Sequence, residues 1–374
     1  MAPLPPFKLE RYFARWEFDV PHMLCASDVE THGMTELLAL ADDEARDLWE
    51  RLALGYTEST GHPRLRDEIA TLYDGIAPQQ TLVFAGAEEA IFCFAHAALR
   101  PGDHAIVVWP AYQALYEVAR SVGADVTLLP LRAEERWRLD LDALCRAVRP
   151  NTRAIVVNYP HNPTGAHITA TELRQLVQIA REAGAWLFSD EVYRFSEYDP
   201  ADRLPGVASL YERGVSLGVL SKAFGLAGLR IGWVATQDEA LLARLMALKD
   251  YTTICAAGPS EILALIALRA RETILARNVS LVKNNVAAVE RFMAAHEEWF
   301  EWLPPRAGCI AFPRLKRGGP VNAFCDWLAR EHGVLLMPGD VFDHPHDHFR
   351  IGFGRASLPP ALPHLERALA TRRD

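Results

Sequence analysis

No stretch of this 374-residue chain stays apolar for the roughly 18 residues that a membrane-spanning helix needs. The start, Met1-Ala2-Pro3-Leu4-Pro5-Pro6, has neither a basic leader nor an apolar run, so a secretory signal is not expected. Cysteine is sparse: Cys25, Cys93, Cys145, Cys255, Cys309 and Cys325 are scattered and form no Cys-x-x-Cys pair. Unpaired thiols in a reducing, cytoplasmic setting are therefore expected. Basic charge is also short. Lys and Arg number 39 against 48 Asp and Glu, a net charge of −9. That balance argues against a broad nucleic-acid footprint and against attraction to an anionic membrane. Neither G-x-G-x-x-G nor G-x-x-x-x-G-K-[ST] occurs, which weakens dinucleotide and P-loop readings.

What is present is a globular composition, with 50% apolar and 23% charged residues. The length can bury a large core without disulfides or metals. Apolar β-rich runs at 81–85, 104–109, 125–129, 153–158, 185–189, 215–220 and 231–235 lack polar alternation, so both faces of each strand are expected to be covered. Helical patterns at 88–99, 114–121, 140–148 and 169–183 lie between them. This rhythm predicts an α/β fold: a mostly parallel seven-stranded sheet covered by helices. After residue 240 the pattern changes to helical stretches at 239–252 and 260–298, short strands near 309–312 and 349–353, and helices at 320–332 and 359–371. That predicts a smaller α+β unit. The expected division is a large domain over 31–270 and a small domain from 1–30 and 271–374.

Three segments carry chemistry. In Leu220-Ser221-Lys222-Ala223-Phe224-Gly225-Leu226-Ala227-Gly228-Leu229-Arg230, a lysine follows an apolar strand. If that strand runs parallel, the lysine stands at the sheet rim, where open α/β sheets bind ligands. There a lysine can lose its charge by desolvation and become a nucleophile. In Ser189-Asp190-Glu191-Val192-Tyr193, a carboxylate ends the preceding strand. Beside a pyridine nitrogen at ~4 Å and an effective dielectric of ~20, its attraction is about 4 kcal/mol, enough to keep the ring protonated. In Asn158-Tyr159-Pro160-His161-Asn162-Pro163-Thr164-Gly165, prolines and a glycine stiffen a turn that can aim the Asn162 amide. Each segment alone has an ordinary reading too: a surface lysine beside a glycine turn, an aspartate N-cap, a loop asparagine.

Together, in this order and spacing, the three segments resemble the class I/II aminotransferases, fold-type I enzymes of pyridoxal 5'-phosphate (PLP), over roughly residues 30–355. The resemblance implies a Schiff-base lysine at Lys222, a partner of the pyridinium nitrogen at Asp190, and a pair holding the ring O3′ oxygen at Asn162 and Tyr193. It implies phosphate ligands at Arg230 and Ser221, a phosphate-cradling turn at Gly86-Ala87-Glu88, and a ring-stacking residue at Tyr112. Backbone N–H groups at a helix start suit a phosphate dianion on physical grounds as well. Arg350 matches the arginine that grips the substrate α-carboxylate, for which a two-pronged guanidinium is apt; Asn162 lies on the substrate side as well. Tyr56 matches the tyrosine that reaches the partner subunit's phosphate, so a homodimer with shared sites is implied. The implied activity is amino transfer between an α-amino acid and a 2-oxo acid. Elimination, cyclisation or decarboxylation shares the same lysine and aspartate, and a catalytically silent relative is the third reading. One position departs from the family pattern: Val219 stands where many members carry Ser or Thr as a phosphate ligand, so weaker PLP retention is expected.

The remaining signals read as structural. His344-Pro345-His346-Asp347-His348 looks metal-like, but its proline and polar spacing suit a surface loop. Residues 132–138 read as a solvated face, and the basic run Arg314, Lys316, Arg317 as an exposed loop.

Overall fold

A computed structural model describes residues 3–344 and 347–372. Seven strands form one sheet: β1 (Thr81–Phe84), β2 (His104–Trp109), β3 (Asp125–Pro130), β4 (Thr152–Asn158), β5 (Trp186–Asp190), β6 (Gly214–Val219) and β7 (Gly232–Thr236). Their order is β1-β7-β6-β5-β4-β2-β3. β7 is antiparallel to both β1 and β6, whereas the pairs from β6 to β3 are parallel. Six strands therefore share one direction and β7 alone opposes them. The carboxyl ends of β1, β2, β4, β5 and β6 and the amino end of β7 meet at one rim.

The Val/Ile/Leu runs form strands because helices blanket both faces, and β1, β6 and β7 are buried along their whole length. β3 departs from that expectation. It is an edge strand, and most of its residues are half-buried or exposed. Helix Ala87–Ala98 packs its Ala90, Ile91 and Phe94 into the core, and helix Ala170–Ala183 is entered through a capping box between Thr169 and Glu172. The 260–298 stretch is not one helix. It breaks at Ala270 (φ −89°, ψ 13°) into Gly258–Arg269 and Arg271–Ala295.

Beyond residue 270, a three-stranded sheet places Phe349–Gly352 between Ile310–Ala311 and Met337–Pro338. His22–Met23 pairs with Val334–Leu335, so the N-terminal segment does enter a sheet, through two residues too few to show periodicity. One buried cluster runs from Phe84, Val107 and Leu217 to Val289, Phe324 and Phe349, joining the large sheet to these later elements.

Two loop expectations change. His344 and His348 are buried: their rings pack on Trp137 and Phe312, at centroid distances of 5.2 to 5.9 Å. Pro345 and His346 lie outside the described residues. Trp137 is buried in that cluster, so 132–138 is only partly a solvated face. Arg314 is exposed as expected, but Arg314–Leu315 forms a short strand against Phe300–Glu301.

Candidate active site

The shared rim encloses a cavity of about 500 Å³. Its wall includes Ala87, Glu88, Tyr112, Asn162, Asp190, Tyr193, Ser221, Lys222, Arg230 and Arg350. Of the expected site residues, only Gly86 and Tyr56 are not in that wall. Gly86 stands just behind it with φ +94°, and a Cβ there would lie 2.6 Å from the Arg230 guanidinium. Only glycine allows both that backbone and that approach. Tyr56 is 90% exposed, far from burial in its own chain.

Strand ends set the geometry. Asn158 and Asp190 are ladder partners at the ends of β4 and β5. The Asn158 amide donates to the Asp190 carbonyl (2.8 Å), and its Oδ1 accepts from the Asn162 backbone N–H (2.7 Å). One side chain thereby fixes the turn carrying Asn162 relative to the strand carrying Asp190. The Asp190 carboxylate accepts from the Val192 N–H at 3.2 Å. Burial raises its pKa to about 7, although Lys222 nearby opposes the rise. A carboxyl this costly to ionise calls for a cation opposite it.

Lys222 follows β6, and its Nζ donates to the Ser27 hydroxyl at 3.0 Å. Burial lowers its pKa, with Arg350 adding to the effect and Asp28 and Asp190 opposing it. The amine is thus biased toward its neutral, nucleophilic form. Tyr193 is buried, and its hydroxyl donates to the Ser27 carbonyl at 2.9 Å. Burial pushes that phenol well above its ordinary range.

Arg350, 1% exposed, sits in the central strand of the later three-stranded sheet. Its Nε and one terminal nitrogen donate to the Cys25 carbonyl (3.2 and 2.9 Å), and the other terminal nitrogen to Asn162 Oδ1 (3.3 Å). Of five N–H groups, one on each terminal nitrogen stays uncommitted, a fork suited to a carboxylate. Arg230, in the left-handed region at φ +53°, enters the wall just before β7. The Glu88 carboxylate is turned to the Tyr112 hydroxyl, and burial raises its pKa. Any anion at this helix start is therefore served by the first-turn N–H groups, not by that side chain.

Sequence reasoning missed the amino-terminal contribution. Phe7, Leu9, Glu10 and Phe13 line the cavity from helix Lys8–Trp16 and the residue before it, as does Ser27. Tyr112 packs on Phe7 at 5.0 Å between ring centroids, and Arg350 lies 6.0 Å from the Phe13 ring. Nothing in a short amphipathic helix separates a cavity-facing phenylalanine from a core one.

The chain is similar to known proteins over nearly its whole length. The family described as aminotransferase class I and II matches residues 24–364. Capreomycidine synthase of Streptomyces vinaceus is 34% identical over 99% of this chain and 92% of its own. A PLP-dependent aminotransferase from Streptococcus suis superposes with a TM-score of 0.93 at 31% identity, covering both chains fully. The PLP-dependent cyclase OrfR gives a TM-score of 0.91 at 32% identity, covering 100% of this chain and 99% of that one. With its lysine, carboxylate and guanidinium gathered at one rim and its whole length matched, the chain belongs to the class I and II aminotransferase family.

Proposed function

We propose that the protein is an aminotransferase that moves an amino group between an α-amino acid and a 2-oxo acid. The observation that carries this reading is the facing of a buried amine (Lys222), a buried carboxylate (Asp190) and a half-committed guanidinium (Arg350) across one cavity. PLP is the cofactor of the family, and the residues present fit it. Lys222 is the amine for its aldehyde, and Asp190 answers its ring nitrogen. Asn162 and Tyr193 are the polar groups for its ring oxygen, and Tyr112 and Val192 are the flat and apolar walls. The turn Gly86-Ala87-Glu88, Ser221 and Arg230 serve its phosphate. When bound, PLP supplies an electron sink for the pair left on Cα after a bond to that carbon breaks.

The chain's own residues do the rest. Arg350 holds the substrate carboxylate and so orients Cα. Lys222, buried and with its pKa lowered, takes the Cα proton as general base and returns it as general acid. Asp190 stabilises positive charge on the ring nitrogen. The large unit would span 31–270 and the small one 1–30 with 271–374. Exposed Leu54, Tyr56, Tyr251 and Ile254 support a homodimer in which Tyr56 reaches the second site. A cytoplasmic setting suits the unpaired thiols; no helix among the described residues is long and apolar enough to cross a membrane.

Cyclisation or elimination at the same site is the second reading, and the synthase and cyclase relatives, matched over nearly the whole chain, favour it. Oxo-acid demand separates the two. Amino transfer releases one equivalent of 2-oxo acid per site from an amino acid alone and continues only when a second oxo acid is added. Continuous turnover without an acceptor would replace transfer with the second reading.

The wall also contains Val219, where a hydroxyl is common in the resembling enzymes. Val219→Ser adds a donor to the phosphate side, and a net hydrogen bond of about 1 kcal/mol predicts PLP binding roughly fivefold tighter. Titration of cofactor-free protein with PLP measures it; an unchanged Kd would mean that the missing hydroxyl does not govern retention.

A further inference from the structure

Ser27 has no role in the mechanism above, yet its hydroxyl is the group that accepts from the Lys222 amine, 3.0 Å away. Its place is tightly set. The Leu24 N–H donates to the Leu335 carbonyl (2.9 Å), and the Leu24 carbonyl accepts from the Gly352 N–H (2.8 Å). Cys25 is held by Arg350, the Ser27 carbonyl by the Tyr193 hydroxyl, and Asp28 by the Arg355 guanidinium at 2.9 and 2.7 Å. The Glu30 N–H donates to the Gly354 carbonyl at 2.7 Å. The approach is so close that a Cβ on Gly354 would stand 1.9 Å from the Asp28 carbonyl oxygen. A short irregular segment is thus fastened at almost every residue, with its one hydroxyl delivered to the amine. That hydroxyl lines the cavity, and among the described residues its own proton has no protein acceptor.

We propose that Ser27 is a further catalytic residue, a proton carrier between Lys222 and the substrate. The proposal rests on Lys222 being the reactive amine. After Lys222 takes a proton from Cα, its ammonium N–H points at Ser27 Oγ. The ammonium can pass a proton to Oγ while the Ser27 O–H proton passes to an acceptor in the cavity. Ser27 ends unchanged, Lys222 ends neutral, and one proton has moved. The acceptor is a substrate atom beyond direct reach of the amine, such as a heteroatom leaving from Cβ. With the Cα–H bond already broken by Lys222, the Cβ–heteroatom bond then breaks, the pair left on Cα forms a Cα–Cβ double bond, and the heteroatom departs with the relayed proton. The pair thereby gives this site a route to elimination that a lysine alone lacks.

The test compares Ser27→Ala with Ser27→Thr, which keeps the hydroxyl. The first readout needs no turnover: the pH dependence of covalent PLP uptake by cofactor-free protein, followed by absorbance. Losing an acceptor for the ammonium should move the midpoint down by about one pH unit in Ser27→Ala and leave it near wild type in Ser27→Thr. The other charged and titratable groups facing the amine (Asp28, Glu88, Asp190, Tyr193, Arg230, Cys309 and Arg350) are the same in both variants. The second readout is β-elimination of the hydroxyl of serine, which must leave as water and so needs the delivered proton, expected to fall about 10²-fold or more in Ser27→Ala, with Cα–deuterium exchange in D₂O much less affected. A midpoint within about 0.3 pH unit of wild type together with a serine-elimination rate within twofold of it in Ser27→Ala would overturn the proposal. So would failure of both variants to take up PLP, which would assign Ser27 a packing role. Wild-type protein that took up no PLP would overturn the reading of Lys222, and this proposal with it.

Discussion

Lys222→Ala abolishes the covalent absorbance of bound PLP and lowers turnover by on the order of 10³-fold or more. Two effects combine in one side chain. On the proposed reading the amine is the attachment point for the cofactor aldehyde and the base that the geometry offers to Cα. No other lysine can substitute: Lys249, also buried, spends its amine on the carbonyls of Ser59 and Ile254. The measurements are an absorbance spectrum of the variant with PLP and a steady-state rate with an amino donor. Turnover within tenfold of wild type would dismiss Lys222 as the reactive group. PLP should still bind reversibly, because the phosphate and ring contacts remain.

Asp190→Asn should change how the cofactor-free protein responds to pH. With its pKa raised from 3.8 to about 7, Asp190 is protonated in the folded state across a window where the unfolded chain has lost that proton. The folded state binds more protons there, so stability falls as pH rises from about 4 to about 7 and is flat above. The penalty at pH 8 has an upper bound of about 4 kcal/mol. The neutral amide of Asn does not titrate, so the Tm of cofactor-free Asp190→Asn should lose that part of its decline between pH 5 and pH 8. PLP should remove most of the decline from wild type, because a ring cation opposite the carboxylate returns the pKa toward its ordinary range. Activity of the variant should drop about 10²-fold or more as the charge partner is lost. Identical Tm profiles for wild type and variant would show that Asp190 ionises freely in the empty site.

Where the site was legible in the sequence, a strand ran straight into a residue that stops it. Lys222 follows β6, Asp190 ends β5, Asn162 follows β4 across Pro160 and is itself followed by Pro163, and Arg230 precedes β7. Apolar runs announce the strands, and the punctuation announces the rim. The edge position of β3 was not legible, because strand order depends on which pairs form and not on composition. Residues of helix Lys8–Trp16 were not legible as cavity wall, since amphipathic spacing reports that one face is covered and not by what. Ser27 was hidden for a different reason: its position depends on carbonyl contacts from Arg350, Tyr193 and Gly354, more than 150 residues downstream. His344 and His348 read as exposed because polarity alone cannot anticipate stacking on Trp137 and Phe312.

The origin of the cavity wall has a consequence for how such a protein diversifies. On the proposed reading, the groups that handle the electron pair come from strand ends locked in the sheet, whereas Leu9, Glu10 and Phe13 come from helix Lys8–Trp16, with Phe7 just before it, a segment held by packing and by hydrogen bonds such as that from the Tyr12 hydroxyl to the Leu336 carbonyl. If those roles hold, reactivity and selectivity are encoded in separate stretches of the chain, and residues 7–13 can drift toward new metabolites while the chemistry underneath is inherited intact.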